Sequence, residues 1–250
     1  MQRRQFLRSA TWAAGSLAGL TQLKSHAQEA SVSITWLHHS CVFLEANDYR
    51  ILINPFRTQG CTAGYPIPDV TADLVLLSSR LFDEGHIGDL RGNPRVLFEA
   101  GEYTIDGLRI QGISMAHDTF GGQRFGRNIA WRLTLGGIDM IHLGGAAAPI
   151  TREESILLAR PDLVFIPVGG GVKNYDAAGA VAAINELQPR VVIPTMFRTA
   201  AAAESCDLSG VDAFLSQVRN VQALGSRQLS LGREQVPAEP YQVLVFPENG

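Results

Sequence analysis

The segment LLSSRLFDEGHIGDL, residues 76–90, leads from an apolar, strand-like run into a polar loop. The run ends at Ser79, and the loop carries Asp83, Glu84 and His86 within a few residues of one another. Carboxylates and imidazoles grouped after a strand are typical of a metal-binding loop. Serine and leucine stand among them here, so the sequence predicts a metal-binding loop that has lost most of its ligands.

Short β-type runs fill the first half of the chain, and strands alternate with helices from about residue 150. The predicted strands and hairpins are residues 33–37, 41–46, 50–56, 73–78, 101–115, 128–143, 162–168, 190–197 and 241–246. Asn47-Asp48 predicts a two-residue hairpin turn. The capping residues Thr151 and Asp176 predict helices over 151–159 and 176–187, and a third helix is predicted over 211–220. This pattern predicts an α/β fold.

The first 27 residues have the composition of an export signal. Arg3, Arg4 and Arg8 precede a mildly apolar run that ends at Ser25-His26-Ala27. The arginine pair resembles a twin-arginine signal, which directs the export of folded proteins. We therefore expect residues 1–27 to be removed and residues 28–250 to form one domain without a transmembrane segment. The expected destination is the periplasm, or the thylakoid lumen if the source is a phototroph.

The charge of the chain disfavours two classes of partner. Its net charge of −3 becomes −7 when the four basic residues of the signal, Arg3, Arg4, Arg8 and Lys24, are removed. No stretch of the sequence forms a basic stripe. We therefore expect neither nucleic acid nor an anionic membrane surface as a partner.

Three cysteines allow one disulfide in an exported protein. Cys41 lies in an apolar strand pattern and is expected to be a buried thiol. Cys61–Cys206 is one candidate pair, and the sequence does not decide whether a bridge forms.

Six further motifs accompany the loop in a fixed order. They are Trp36 to Ser40, Ile53-Asn54-Pro55, His117-Asp118, His142 to Gly145, Pro167 to Gly170, and Ile193 to Met196. This order resembles the metallo-β-lactamase-fold hydrolases, and most of all their ascorbate-6-phosphate lactonase-like branch. The resemblance implies an αββα four-layer sandwich with an active site for two metal ions at one edge of its sheets.

The ligand positions of that family are largely replaced in this chain. The loop can be aligned in two registers, which place either Ser79, Leu81, Asp83 and Glu84 or Leu81, Asp83, Gly85 and His86 at the ligand positions. Either way, both of the loop histidines that would bind the first metal are absent. Gly145 stands where the resemblance implies a bridging Asp, Met196 where it implies a final His, and Asn54 where it implies a supporting Asp.

These replacements predict a vestigial pocket and few candidate ligands. The pocket residues are His39, Asn54, Ser79, Leu81, Glu84, Gly145 and Met196, and the remaining candidate metal ligands are Asp83, His86 and His117. For Glu84 a replacement ligand, a general base and an ordinary solvated acid are all open. We expect His38 to be exposed in a loop, His142 to be a hydrogen-bonded core residue and Asp118 to cap a loop.

Two functions follow from this pocket. The first is an exported protein without zinc hydrolase activity or cofactor, which binds a protein partner, for example as an accessory factor of a membrane complex. The second is a metal-dependent hydrolase of lactonase or phosphodiesterase type. Its rebuilt, mononuclear site would hold zinc or another divalent metal through His117, His86, Asp83 or Glu84.

Overall fold

Two β-sheets form the centre of the protein in the computed structural model, which describes residues 31–248. The predicted signal, residues 1–27, lies outside the described residues. The strands, in chain order, are β1 Ser31–Trp36, β2 Val42–Ala46, β3 Tyr49–Ile53, β4 Leu74–Leu76, β5 Arg95–Leu97, β6 Gly101–Ile105, β7 Leu108–Ala116, β8 Arg127–Leu135, β9 Ile138–His142, β10 Leu163–Pro167, β11 Val191–Thr195, β12 Val221–Ala223, β13 Gln228–Gly232 and β14 Gln242–Val245. The first sheet has the order β13-β1-β2-β3-β4-β5, and the second has the order β12-β14-β11-β10-β9-β8-β7-β6. The expected two-sheet α/β fold is confirmed.

The local signals in the sequence explain several of these elements. Asn47 and Asp48 have φ angles of 51° and 62°, the left-handed values that a tight turn between β2 and β3 requires. In β1, Val32, Ile34 and Trp36 are buried and alternate with more exposed residues. This alternation places one face of the strand against the core between the sheets.

Within residues 31–248 there are three α-helices, all after Thr151, and they accompany the second sheet. They are α1 Arg152–Leu158, α2 Ala177–Leu187 and α3 Asp212–Leu215. Thr151 and Glu154 form the predicted capping box of α1, and the Asp176 carboxylate accepts a 2.7 Å hydrogen bond from Gly179 N at the start of α2. The predicted helix over 211–220 is wrong in length. It ends after one turn, where Ser216 Oγ bonds the carbonyl of Ala213, a local bond that competes with helix continuation.

The outer face of the first sheet is covered mainly by a loop. Within the described residues no α-helix precedes Arg152, and the loop 57–70 contains a 3₁₀ turn at Gly60–Thr62. Phe56 and Tyr65 pack there against the sheet, next to the buried Cys41 thiol. A Cys61–Cys206 disulfide joins this loop to the segment after β11. The bridge therefore holds the covering loop to the opposite half of the fold.

The carboxyl ends of several parallel strands meet at one edge of the molecule. β3, β4 and β5 run parallel in the first sheet, and β9, β10 and β11 run parallel in the second. The loops that leave these ends carry the residues of the predicted pocket, as expected for sheets of this kind. No helix within residues 31–248 has the length and apolar character needed to cross a membrane.

Candidate functional site

A buried acid–imidazole contact lies at the centre of the site. Glu84 Oε1 is 2.8 Å from Nε2 of His117, and both side chains are fully buried. The same oxygen accepts a 2.7 Å hydrogen bond from Ser79 Oγ. Burial favours the neutral form of Glu84, but the charge and hydrogen bonding of His117, with help from Lys173 and Ser79, lower its pKa overall. Glu84 is therefore not a solvated loop acid, which was one of its three open interpretations.

Gly145 leaves the space that this contact fills. A Cβ atom on residue 145 would lie 2.3 Å from Nε2 of His117 and 3.2 Å from Oε1 of Glu84. Asn128 fixes the backbone here, because its side chain accepts from Gly145 N at 3.0 Å and donates to Leu143 O at 2.7 Å. No side chain fits at residue 145 while His117 and Glu84 keep their positions.

A second ion pair sits beside the first. Lys173 Nζ pairs with the carboxylate of Asp83, and the two side chains are 22% and 20% exposed. The same Asp83 oxygen lies 4.0 Å from Nε2 of His39. Lys173 also lies 5.8 Å from the centre of the Phe125 ring. An ammonium group therefore supplies positive charge next to the carboxylates of the loop.

Four residues of the pocket other than glycine have a left-handed backbone conformation. The φ angles of His38, His39, Asn54 and Met196 are 75°, 53°, 53° and 50°. Such left-handed residues cost free energy and cluster at functional sites, where the surrounding fold maintains them. Met196 N donates to His39 O at 3.2 Å, which links two of these positions. The pocket thus keeps a strained framework although several expected ligands are replaced.

Asn54 holds the start of the loop that follows β4. Its side-chain oxygen accepts a 2.8 Å hydrogen bond from Ser78 N, at the point where the loop leaves β4. Its own backbone N–H donates to Leu76 O at 2.9 Å. The amide therefore still anchors the start of the loop, which is the role that the resemblance implies for an Asp.

Three further histidines lie buried in or near the pocket. His142 is buried and bonds Ser40 O at 2.9 Å and Gly144 N at 3.1 Å, as expected for a satisfied core residue. Burial lowers its pKa to about 4. The expectation that His38 is exposed is wrong, because its ring is buried and stacks on Tyr65 at 4.4 Å. His39 is buried, and burial lowers its pKa against the opposing influence of Asp83 and Glu84.

The predicted metal ligands have three separate partners. His117 contacts Glu84, Asp83 pairs with Lys173, and His86 pairs with Asp89 at 3.0 Å near the surface.

Asp118, next to His117, caps its loop as expected by accepting from four backbone N–H groups. Those bonds lower its pKa to about 2, although burial opposes the shift.

Comparison with known proteins shows the family to which the chain belongs. Residues 33–196 match the family model described as the beta-lactamase superfamily domain. The chain belongs to the metallo-β-lactamase superfamily. It is 24% identical over 192 residues to a UPF0173 metal-dependent hydrolase of Thermoplasma acidophilum, covering 68% of this chain and 84% of that protein. A UPF0173 metal-dependent hydrolase of Thermococcus onnurineus is 26% identical over 195 residues, covering 67% and 85%. A superfamily member from Thermotoga maritima has a similar structure, with a TM-score of 0.71, 28% identity and coverage of 86% and 98%.

The described residues do not fit the two-metal site that the superfamily resemblance implies. No cluster of three His, Cys, Asp or Glu side chains within residues 31–248 is arranged to hold a metal ion. The bridging position, Gly145, cannot carry a carboxylate beside the present His117. Ser79 Oγ, at a ligand position in one register, bonds Glu84, and Leu81 N donates to that hydroxyl at 3.2 Å. Leu81 itself offers no donor atom for a metal.

Lys173 and Asn128 are site residues that the sequence reasoning missed. Lys173 is the only lysine after Lys24 in a chain that otherwise uses arginine. Its position could have been predicted from the sequence. Lys173 follows Gly169-Gly170-Gly171, and this glycine loop leaves a strand whose carboxyl end lies at the pocket. Asn128 gave no comparable signal, since it lies within a strand pattern.

Proposed function

We propose that this superfamily member is an exported pseudoenzyme that binds a protein partner and uses no metal. The observation that carries the proposal is the overlap between a side chain at residue 145 and the contact of His117 with Glu84. A zinc hydrolase needs a metal with an open position where water and substrate meet. Here Glu84 and His117 are fully buried and lie 2.8 Å apart, and Ser79 Oγ donates to the same Glu84 oxygen.

Charge balance in the pocket supports the same proposal. Asp83 and Glu84 would favour a cation, and Lys173 supplies one by pairing with Asp83. Lys173 also lowers the pKa of Glu84 through its charge, after the larger influences of burial and His117. An ammonium group fixed to the fold therefore takes over the electrostatic role of a bound metal ion.

Export is the second part of the proposal. The arginine pair Arg3-Arg4 motivates a twin-arginine route to the periplasm, or to the thylakoid lumen in a phototroph. The Cys61–Cys206 disulfide supports an oxidising destination. There the protein would act as an accessory factor, for instance on the soluble face of a membrane complex.

Metal analysis tests the absence of a metal site. We expect less than stoichiometric zinc or iron in the purified protein, and no zinc-dependent rise in its melting temperature. Turnover of lactone, phosphodiester and thioester substrates should be equally absent from the parent protein and from His117→Ala. Stoichiometric metal, or turnover that His117→Ala abolishes, would overturn the proposal.

The alternative is a metal-dependent hydrolase with a rebuilt, mononuclear site. It is favoured by the names of the relatives and by the retention of His117 beside Glu84 and Asp83. Under this alternative His117 would be a metal ligand, and zinc should stabilise the parent protein but not His117→Ala.

Replacement of both signal arginines tests the export route. A reporter fused after Ala30 should reach the periplasm with the parent signal and remain inside the cell with Arg3→Lys and Arg4→Lys. Undiminished export of the lysine variant would contradict a twin-arginine route. A leader with Arg8→Lys alone is the matched control, because it keeps the arginine pair.

A further inference from the structure

Three exposed phenylalanines lie in loops at the same edge as the pocket. Phe82, Phe98 and Phe120 are 54%, 41% and 53% exposed. Each ring has an arginine over its face: Arg57 over Phe82 at 5.8 Å, Arg80 over Phe98 at 5.0 Å, and Arg124 over Phe120 at 5.8 Å. These six side chains are called the aromatic rim below.

The rim is connected across the pocket through contacts of its neighbours. Asp83, which follows the first rim phenylalanine, pairs with Lys173. Lys173 lies over the ring of Phe125, and the Arg124 guanidinium lies 5.5 Å from the centre of that ring and 5.8 Å from the centre of the Phe120 ring. Arg80, two residues before Phe82 in the same loop, lies over Phe98. The three arginine–phenylalanine pairs therefore border the loop that carries Asp83 and Glu84.

The rim arginines are free to bind carboxylates. Among the described residues, no acidic side chain lies within ion-pair distance of Arg57, Arg80 or Arg124, whereas Asp83 is paired and Asp118 is bonded to backbone N–H groups. Exposed Glu99 offsets part of the positive charge next to Phe98. A guanidinium that stacks on a ring keeps the N–H groups at its edge available for bidentate bonds.

We propose that the aromatic rim docks an acidic segment of a partner protein, in which carboxylates alternate with apolar side chains. Carboxylates would bond the guanidinium edges, and apolar side chains would cover the phenylalanine rings. Arginine and aromatic residues are enriched in protein interfaces and supply most of their binding energy. The net negative charge of the protein, −3 for the whole chain and −7 without the four basic residues of the signal, confines this attraction to the rim and disfavours binding to a general anionic surface. The inference rests on the proposed binding function and names the chemistry of its partner.

A labelled peptide of alternating Glu and Leu is the probe, with Gln-Leu and Lys-Leu peptides and phosphatidylglycerol vesicles as comparisons. Fluorescence anisotropy should show binding of the Glu-Leu peptide that weakens as salt rises from about 0.05 M to about 0.3 M. The triple variant Phe82→Ser, Phe98→Ser, Phe120→Ser should bind about tenfold more weakly or worse, and so should Arg57→Gln, Arg80→Gln, Arg124→Gln. The matched control changes exposed apolar residues elsewhere, Ile156→Ser, Leu157→Ser and Val221→Ser, and should retain parental affinity.

Three results would overturn the rim proposal. They are equal affinity of the parent and rim variants, equal affinity for the Gln-Leu peptide, and vesicle binding without binding of the Glu-Leu peptide. Circular dichroism of each variant shows whether the fold is intact, and the arginine variant provides a test if the phenylalanine variant unfolds. Failure of the proposed function is recognised separately: stoichiometric zinc together with rim-dependent peptide binding would reject the metal-free function and leave the rim in place.

Discussion

Gly145 and His117 compete for one volume: a Cβ on residue 145 would stand 2.3 Å from Nε2 of the histidine. Atoms that are not bonded to each other do not approach so closely, so one of the two residues must change for the other to gain a side chain. Glu84 holds His117 on that side at 2.8 Å. A side chain at residue 145 and the present contact of His117 with Glu84 therefore exclude each other.

The first prediction concerns Gly145→Ala. The methyl group should lower the free energy of unfolding by about 1–3 kcal/mol, because it forces His117 away from Glu84. Urea denaturation measures the change, and Gly225→Ala is the control because a Cβ there meets no atom within 4 Å. His117→Ala in the same chain should make the added methyl group nearly neutral. A fully additive double variant would show that the overlap is relieved elsewhere.

The second prediction concerns Lys173→Met. Loss of the ammonium group should destabilise the fold by about 1–3 kcal/mol, since Asp83 would remain unpaired near Glu84. Adding Asp83→Asn should recover part of the loss in a double-mutant cycle. The exposed pair Arg109–Glu102 is the control, because Arg109→Met should cost only about 0.5 kcal/mol or less. Equal effects of the two methionine variants would contradict an internal counter-charge role for Lys173.

The third prediction is a loss of stability in acid. Burial lowers the pKa of His142 to about 4 from its usual 6.5, so the folded protein binds fewer protons than the unfolded chain between these values. Its contribution to stability is complete above pH 6.5 and decreases as the pH falls to 4, by about 1.4 kcal/mol per pH unit. His38, whose pKa burial and Arg227 also lower to about 4, acts in the same direction. Urea denaturation across this range tests the slope, which His142→Gln should reduce; a flat profile would contradict the prediction.

The fourth prediction concerns the disulfide. Cys61 and Cys206 are 145 residues apart, so in the chain-entropy model their bridge restricts a long loop of the unfolded chain and stabilises by up to about 5 kcal/mol. Cys61→Ser with Cys206→Ser should be less stable than the parent and should no longer respond to reductant. Cys41 is buried, and burial raises the pKa of its thiol. Thiol reagents should therefore leave it unmodified in the folded variant, and an unchanged unfolding midpoint after reduction of the parent would contradict the prediction.

The sequence predicted features that depend on neighbouring residues better than features that depend on distant ones. The Asn47-Asp48 turn and the caps at Thr151 and Asp176 are confirmed because each is set by residues within one turn of the chain. The strands β5, β12 and β13 were missed; they have three to five residues, and each lies at the edge of its sheet. The contacts of Glu84 required the fold, since His117 and Lys173 approach it from loops far away in sequence.

Lys173 allows selective chemical labelling of the pocket. Within residues 31–248 it is the only lysine, and its ammonium group is partly exposed beside Asp83. Reductive methylation with isotope-labelled formaldehyde would therefore place a single NMR reporter at the pocket, apart from any label on a terminal amine. A change in its chemical shift would report peptide binding at the aromatic rim. It would also report movement of the loop that carries Asp83.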